Sequence, residues 1–159
     1  MPNPSLARLA FAGVATAALA SPAIGRDVRA GSLRLTAAWS RPAPPGAPAG
    51  AGYLTITNRG SRPDRLVGGS SSVVERVEVH EMKIDDGVMR MRPVAGGLVI
   101  PAGGTVQLAP GGYHIMLIGL KRRVATGGVL PVTLRFQRAG AVAVNFDVRA
   151  TPPATGAGR

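Results

Sequence analysis

Short runs in which apolar and polar residues alternate recur along the chain, each closed by a cluster rich in Gly or Pro. Leu33, Leu35, Ala37 and Trp39 alternate with Arg34, Thr36 and Ser40. That period of two places the apolar set on one face of a strand and the polar set on the other. The same reasoning predicts strands over 53–58, 73–80, 88–93, 105–108, 113–120, 130–137 and 141–148. Turn chemistry separates them: NRGSRPD at 58–64, Asp85-Asp86-Gly87, Pro110-Gly111-Gly112, Gly127-Gly128 and Ala139-Gly140. Residues 41–52 (RPAPPGAPAGAG) read as a Pro/Gly loop, a composition unsuited to a central strand. Helical periodicity is scarce beyond the N-terminus. Eight or so short strands in about 120 residues predict an all-β domain, a Greek-key sandwich or barrel.

The first twenty residues differ from this pattern. Arg8 provides a positive n-region, residues 9–20 (LAFAGVATAALA) are an apolar run, and Ala18-Leu19-Ala20 is a small-x-small cleavage site. The run is too short to span a bilayer, which takes about 20 apolar residues. Residues 1–20 are therefore expected to be a secretory signal, 21–150 the folded domain and 151–159 a disordered tail. Export predicts a periplasmic protein.

Composition then removes whole classes of chemistry. With no Cys among 159 residues, disulfide scaffolds, thiolate zinc sites, iron–sulfur clusters, cysteine nucleophiles and blue-copper centres are excluded. The formal charge of +11 is carried mostly by singly spaced Arg, with Lys121-Arg122-Arg123 the densest cluster. A single-stranded nucleic-acid binder would interleave a basic stripe with stacking aromatics, and the aromatics here fall at apolar strand positions. The charge reads as solvated strand faces with some capacity for steering toward acidic partners, and no nucleic-acid partner is expected.

The remaining chemistry is concentrated. Apart from Met1, the methionines are Met82, Met89, Met91 and Met116, and the only histidines are His80 and His114. All six fall between residues 80 and 116, whereas core methionines would scatter as gap-fillers. Strand parity places Val73, Val77 and Val79 on one face and Val74, Arg76, Glu78 and His80 on the other, so His80 is expected on the more polar side. Met89 and Met91 share a face, as do His114 and Met116. Neutral thioether sulfur selects Cu(I), and imidazole tolerates it. Zinc would call for thiolate or carboxylate, and Ca²⁺ or Mg²⁺ for oxygen.

These residues carry a resemblance. Ala38-Trp39-Ser40-Arg41-Pro42, 53–58, Val79-His80-Glu81, 87–93, Pro101-Ala102-Gly103-Gly104 and Pro110 through Leu117 together resemble the periplasmic PCu(A)C copper chaperones over nearly the whole domain. His80 and Met91 enclose ten residues, 22 more follow, and His114-x-Met116 closes the motif, one residue longer in the spacer than the family pattern. Where some members carry Met directly after the first His, this chain has Glu81, which reads as an exposed carboxylate. The resemblance implies a cupredoxin-like Greek-key β-barrel with a solvent-accessible Cu(I) site formed by His80, Met91, His114 and Met116. It also implies a monomeric carrier that delivers copper toward the dinuclear copper centre of cytochrome c oxidase, to an oxidase subunit or another copper chaperone at the cytoplasmic membrane. Met82 and Met89 fall outside the motif, as candidates for a transfer surface or a second, weaker site.

Other readings are a periplasmic copper storage or tolerance protein and a metal-free β-sandwich interaction domain. No Ser/His/Asp or paired-carboxylate arrangement suggests a hydrolase. Copper oxidase chemistry would call for more than two His, so no enzymatic activity is expected.

Overall fold

The structure, a computed structural model, describes residues 27–153. The expected signal segment (1–20) and tail residues 154–159 lie outside the described residues. Eleven strands follow in chain order: β1 (Val28–Ala30), β2 (Leu33–Ser40), β3 (Ala49–Asn58), β4 (Asp64–Ser70), β5 (Val74–Asp85), β6 (Val88–Pro93), β7 (Leu98–Ile100), β8 (Thr105–Leu108), β9 (Tyr113–Leu120), β10 (Val129–Phe136) and β11 (Gly140–Val148). No helix occurs among the described residues.

Seven of these close into a barrel, in the order β2–β11–β10–β4–β5–β9–β3 and back to β2. Strands adjacent in space are mostly not adjacent in sequence, as in a Greek key. The pairings round the ring are antiparallel except β11 with β2. The short strands β1, β6, β7 and β8 each pair with the flank of one ring strand. Closure leaves the ring no free edge. Inward positions form one core that includes Leu35, Ile56, Leu66, Ile115, Leu134 and Phe146, each at most 1% exposed. Each such side chain contributes about 1.5–3 kcal/mol by leaving water.

The predicted strands are present, with four departures. First, residues 49–52, expected to be loop, form the start of β3 and pair with β9 from Ala49↔Ile118 to Gly52↔Ile115. Their glycines mark close packing: a Cβ on Gly52 would come within 2.9 Å of the Phe146 ring. Residues 41–48 do form the loop, held by a bridge between Ala43 and Val124. Second, β1, β4 and β7 were not anticipated. Two are only three residues long, and β4 carries Gly68-Gly69, which resembles a turn in sequence. Gly69 is required there, since a Cβ would approach the Thr133 carbonyl oxygen to 2.5 Å. Asp64, expected to end a turn, is instead buried and accepts hydrogen bonds from the backbone N–H groups of Arg65, Arg138 and Ala139. Third, the strand expected to end at His80 runs on to Asp85 and folds back through Asp86-Gly87 as a hairpin with β6.

The fourth departure bears on function. Between Thr36 and Trp39 the β2–β3 register slips by one, with Ala37 at φ 52°. This bulge reverses the side on which Trp39 emerges. Trp39 therefore leaves the face of Leu33 and Leu35 and stacks on Tyr53, ring centroids 4.7 Å apart, outside the main core cluster.

Candidate metal centre

Four neighbouring strands, β6, β5, β9 and β3, build the candidate site. His80 of β5 lies directly opposite His114 of β9, and Glu78 opposite Met116. On the other flank of β5, Met82 faces Met91 of β6, and Ile84 faces Met89. Met116 is also opposite Ala51 of β3. Directly opposed residues share a face, as do residues two apart on one strand. The two His and all four Met of the 80–116 window therefore occupy a single sheet face. Val77, Val79, Ile115 and Leu117, of opposite parity, point into the barrel core. Parity breaks only at the far end, where Gly119 (φ 69°) turns β9 and Leu120 and its partner Val74 are both buried.

The expected polar side of His80 is thus correct in direction but not in exposure. His80 is 9% exposed and His114 3%. Beside His114 is a cleft of about 310 Å³, lined by Arg41, Pro42, Tyr53, Met82, Met91, His114 and Met116 among others. The loop after β2 and the strand β3 place Arg41 and Tyr53 beside residues up to 75 positions later in the chain, and the bulge in β2 sets Trp39 against Tyr53. Burial raises the Tyr53 phenol pKa above its ordinary value of 10.0, against a smaller opposing effect of the Arg41 guanidinium.

Both imidazoles are held by one nitrogen and left bare at the other. His114 Nδ1 is 3.1 Å from the Gly112 carbonyl oxygen. A carbonyl only accepts, so Nδ1 carries the proton and donates it, leaving a lone pair on Nε2. His80 Nε2 donates to Glu78 Oε2 at 2.9 Å, leaving the lone pair on Nδ1. These two free nitrogens, His80 Nδ1 and His114 Nε2, are the buried side-chain nitrogens or oxygens without a hydrogen-bond partner among the described residues. An orphaned buried acceptor is unfavourable by about 1–3 kcal/mol. The imidazole rings lie 5.9 Å apart, centroid to centroid. Metal-binding histidines characteristically have this arrangement, with one nitrogen fixed by a carboxylate or carbonyl and the other presented to the ion.

The donor set is soft. Among the described residues no three His, Cys, Asp or Glu side chains converge as a metal-holding group. The thioethers of Met82, Met91 and Met116 line the cleft instead. Of the four predicted ligands, His114, Met91 and Met116 border this cleft, and His80 stands directly across from His114 on the adjoining strand. Glu81 alternates to the opposite face from His80 and pairs with Lys83 at 3.2 Å. Glu78, the Gly112 carbonyl and the Trp39–Tyr53 pair were not singled out from the sequence. The parity of Glu78 with His80 is a signal that could have identified the first.

Comparisons with known proteins agree with this fold. The profile of the LpqE-like family, described as putative lipoprotein LpqE-like, matches residues 33–148. A putative lipoprotein of Leifsonia xyli subsp. xyli is 39% identical over 108 residues. That match covers 68% of this chain and 64% of the Leifsonia protein, so the chain spans somewhat less than two thirds of that relative's length. Among solved structures, the copper-bound PCuAC domain from PmoF2 superposes with a TM-score of 0.68 at 25% identity, covering 79% of this chain and 99% of that one. The solution structure of CuI-DR1885 from Deinococcus radiodurans gives a TM-score of 0.57 at 28% identity, covering 79% of this chain and 82% of that one. The shared architecture is cupredoxin-like. With the profile spanning nearly the whole barrel and solved domains reproducing its fold, the chain belongs to the LpqE-like family, and its β-domain is of the PCuAC type.

Proposed function

We propose that this domain is a periplasmic copper carrier that binds one Cu(I) through His80, Met91, His114 and Met116. The observation that carries the reading is the pair of buried, unpartnered imidazole nitrogens on the sheet face that bears the thioethers. His80 would bind through Nδ1 and His114 through Nε2. All four ligands are neutral in the required state, and the two tautomers are already set by Glu78 and Gly112. Binding therefore needs no thiol deprotonation, unlike a thiolate site. Soft, uncharged donors hold Cu(I) in preference to Cu(II) or Zn²⁺. Copper in the PmoF2 domain and CuI in DR1885 support the choice of metal.

Met91 is 46% exposed, so a recipient's ligand could approach copper from that side and replace the protein's own in steps. Such exchange suits delivery, and the recipient we propose is the dinuclear copper centre of cytochrome c oxidase, reached directly or through another chaperone. The N-terminal pattern of residues 1–20 supports export. The lipoprotein names of the family and of the Leifsonia relative agree with an extracytoplasmic location.

Anaerobic competition of the full chain against a Cu(I) chelator tests the site. Retention of one equivalent is expected, and retention of none would refute the reading. Met91→Ala and His114→Ala should weaken binding far more than Met82→Ala. Equal losses from all three would instead indicate an unspecific Met patch. Oxidase maturation under low copper, with and without the protein, tests delivery, and unchanged maturation would favour storage or tolerance.

A further inference from the structure

The β5–β6 hairpin has two unlike faces. On one, Arg92 reaches Asp85 at 2.6 Å with Arg90 beside it at 3.9 Å, and Lys83 pairs with Glu81. On the other stand Met82, Ile84, Met89 and Met91. Met89 is 64% exposed. It belongs to no core cluster and lies beyond the residues that line the cleft. Edge strands of soluble proteins usually present charge outward, and packing offers no reason for a methionine there.

Register supplies one. Met82 and Met91 are directly opposed, with Cβ atoms about 5 Å apart, and Met89 follows Met91 by one strand repeat of about 7 Å on the same face. Met side chains are long, unbranched and adaptable, so three thioethers at these positions can converge on one ion. Exposure falls steadily inward, from Met89 at 64% to Met91 at 46% and then to His114 at 3%.

We propose that Met82, Met89 and Met91 form an outer Cu(I) subsite through which copper enters and leaves the inner site; this rests on the carrier reading above. Copper arrives on Met89 with Met91 and Met82. Its bonds to Met89 and Met82 sulfur then break as bonds to His114 and Met116 form, His80 completes the inner set, and Met91 stays attached throughout. The ion remains Cu(I), no proton moves, and every donor exchanged or added is neutral. Departure reverses the order and leaves copper on the most exposed sulfur, where a recipient can take it.

The test uses the full chain with ¹³C-labelled methionine methyl groups, titrated anaerobically with Cu(I) and separately with Ag(I) as a redox-inert probe. The first equivalent is expected to shift the Met116 and Met91 methyls and the His114 ring; with Met91 then held by the inner ion, the second is expected on Met89 and Met82 and to shift those two methyls. Met89→Leu, which keeps the bulk and removes the sulfur, should retain the first equivalent at unchanged affinity. It should lose the second and release metal to a chelator severalfold more slowly. An unmoved Met89 methyl alongside normal inner-site shifts, or an unchanged release rate in Met89→Leu, overturns the outer subsite and leaves the carrier intact. Shifts at Met89 without any at His114 and Met116 overturn the carrier reading itself, and the relay with it.

Discussion

Replacing His114 with Leu should make the metal-free protein more stable while abolishing its response to copper. His114 is 3% exposed, and its Nε2 has no hydrogen-bond partner among the described residues. Removing that orphan recovers about 1–3 kcal/mol. The substitution also deletes the Nδ1–H bond to the Gly112 carbonyl, worth about 1 kcal/mol. That carbonyl is not left bare, because it also accepts the Met82 backbone N–H at 3.2 Å. Leu is similar in size and adds apolar burial of about 1 kcal/mol. The net expectation is a gain of about 1–3 kcal/mol for the metal-free variant, or roughly 4–11 °C in midpoint for a domain of this size. Most buried substitutions act the other way, by about 0.5–3 kcal/mol. Wild type in Cu(I) at a hundredfold over Kd should gain about 2.7 kcal/mol, and the variant nothing. Anaerobic thermal and urea unfolding, with and without Cu(I), reads both effects. A metal-free variant less stable than wild type by 1 kcal/mol or more would mean that Nε2 is satisfied and His114 is structural. A midpoint that still rises with copper would remove it as a ligand.

Three further outcomes follow from the same geometry. Glu78→Leu should lower Cu(I) affinity by about 10–100-fold by releasing the His80 tautomer, whereas Glu78→Gln, which still accepts from Nε2–H, should recover most of it. Imidazole ¹⁵N shifts report the tautomer, and an unchanged Nε2–H signal in Glu78→Leu would refute the coupling. Asp64→Ala strands the N–H groups of Arg138 and Ala139 and should destabilise the fold by about 3 kcal/mol in urea unfolding, with copper affinity unchanged; a loss of affinity would contradict the separation of core and site. Tyr53 should titrate above 10.0 by NMR, because burial disfavours its phenolate, and higher still in Arg41→Ala, which removes the opposing charge. Its contribution to stability is then complete below pH 10 and is lost as pH rises through the folded-state value, so a midpoint at or below 10.0 would refute the assignment.

The local features were legible in the chain itself. Alternation gave β2, β5, β9, β10 and β11, and Gly and Pro gave most of the turns between them. The crowding of His80, Met82, Met89, Met91, His114 and Met116 into one window identified the donor chemistry, and parity paired His114 with Met116 and Met89 with Met91 before any strand was placed. Short strands in Gly-rich or brief segments, such as 64–70 and 98–100, were not legible because neither carries enough alternating positions to show a period.

Three further matters were decided by the tertiary structure. The one-residue slip at Ala37 moved Trp39 to the side of Tyr53, and no composition rule announces a bulge at an Ala–Ala step. Gly52, loop-like in sequence, serves a central strand because the Phe146 ring occupies the space that its side chain would have filled. The imidazoles, whose ligand character the sequence suggests, are buried with one nitrogen fixed and one free only because β9 lies between β5 and β3 in the barrel. Periodicity is a property of neighbours along the chain and determines which way a side chain points. Burial, tautomer and the meeting of donors depend on which distant strands pair, and that is set by closure of the whole barrel.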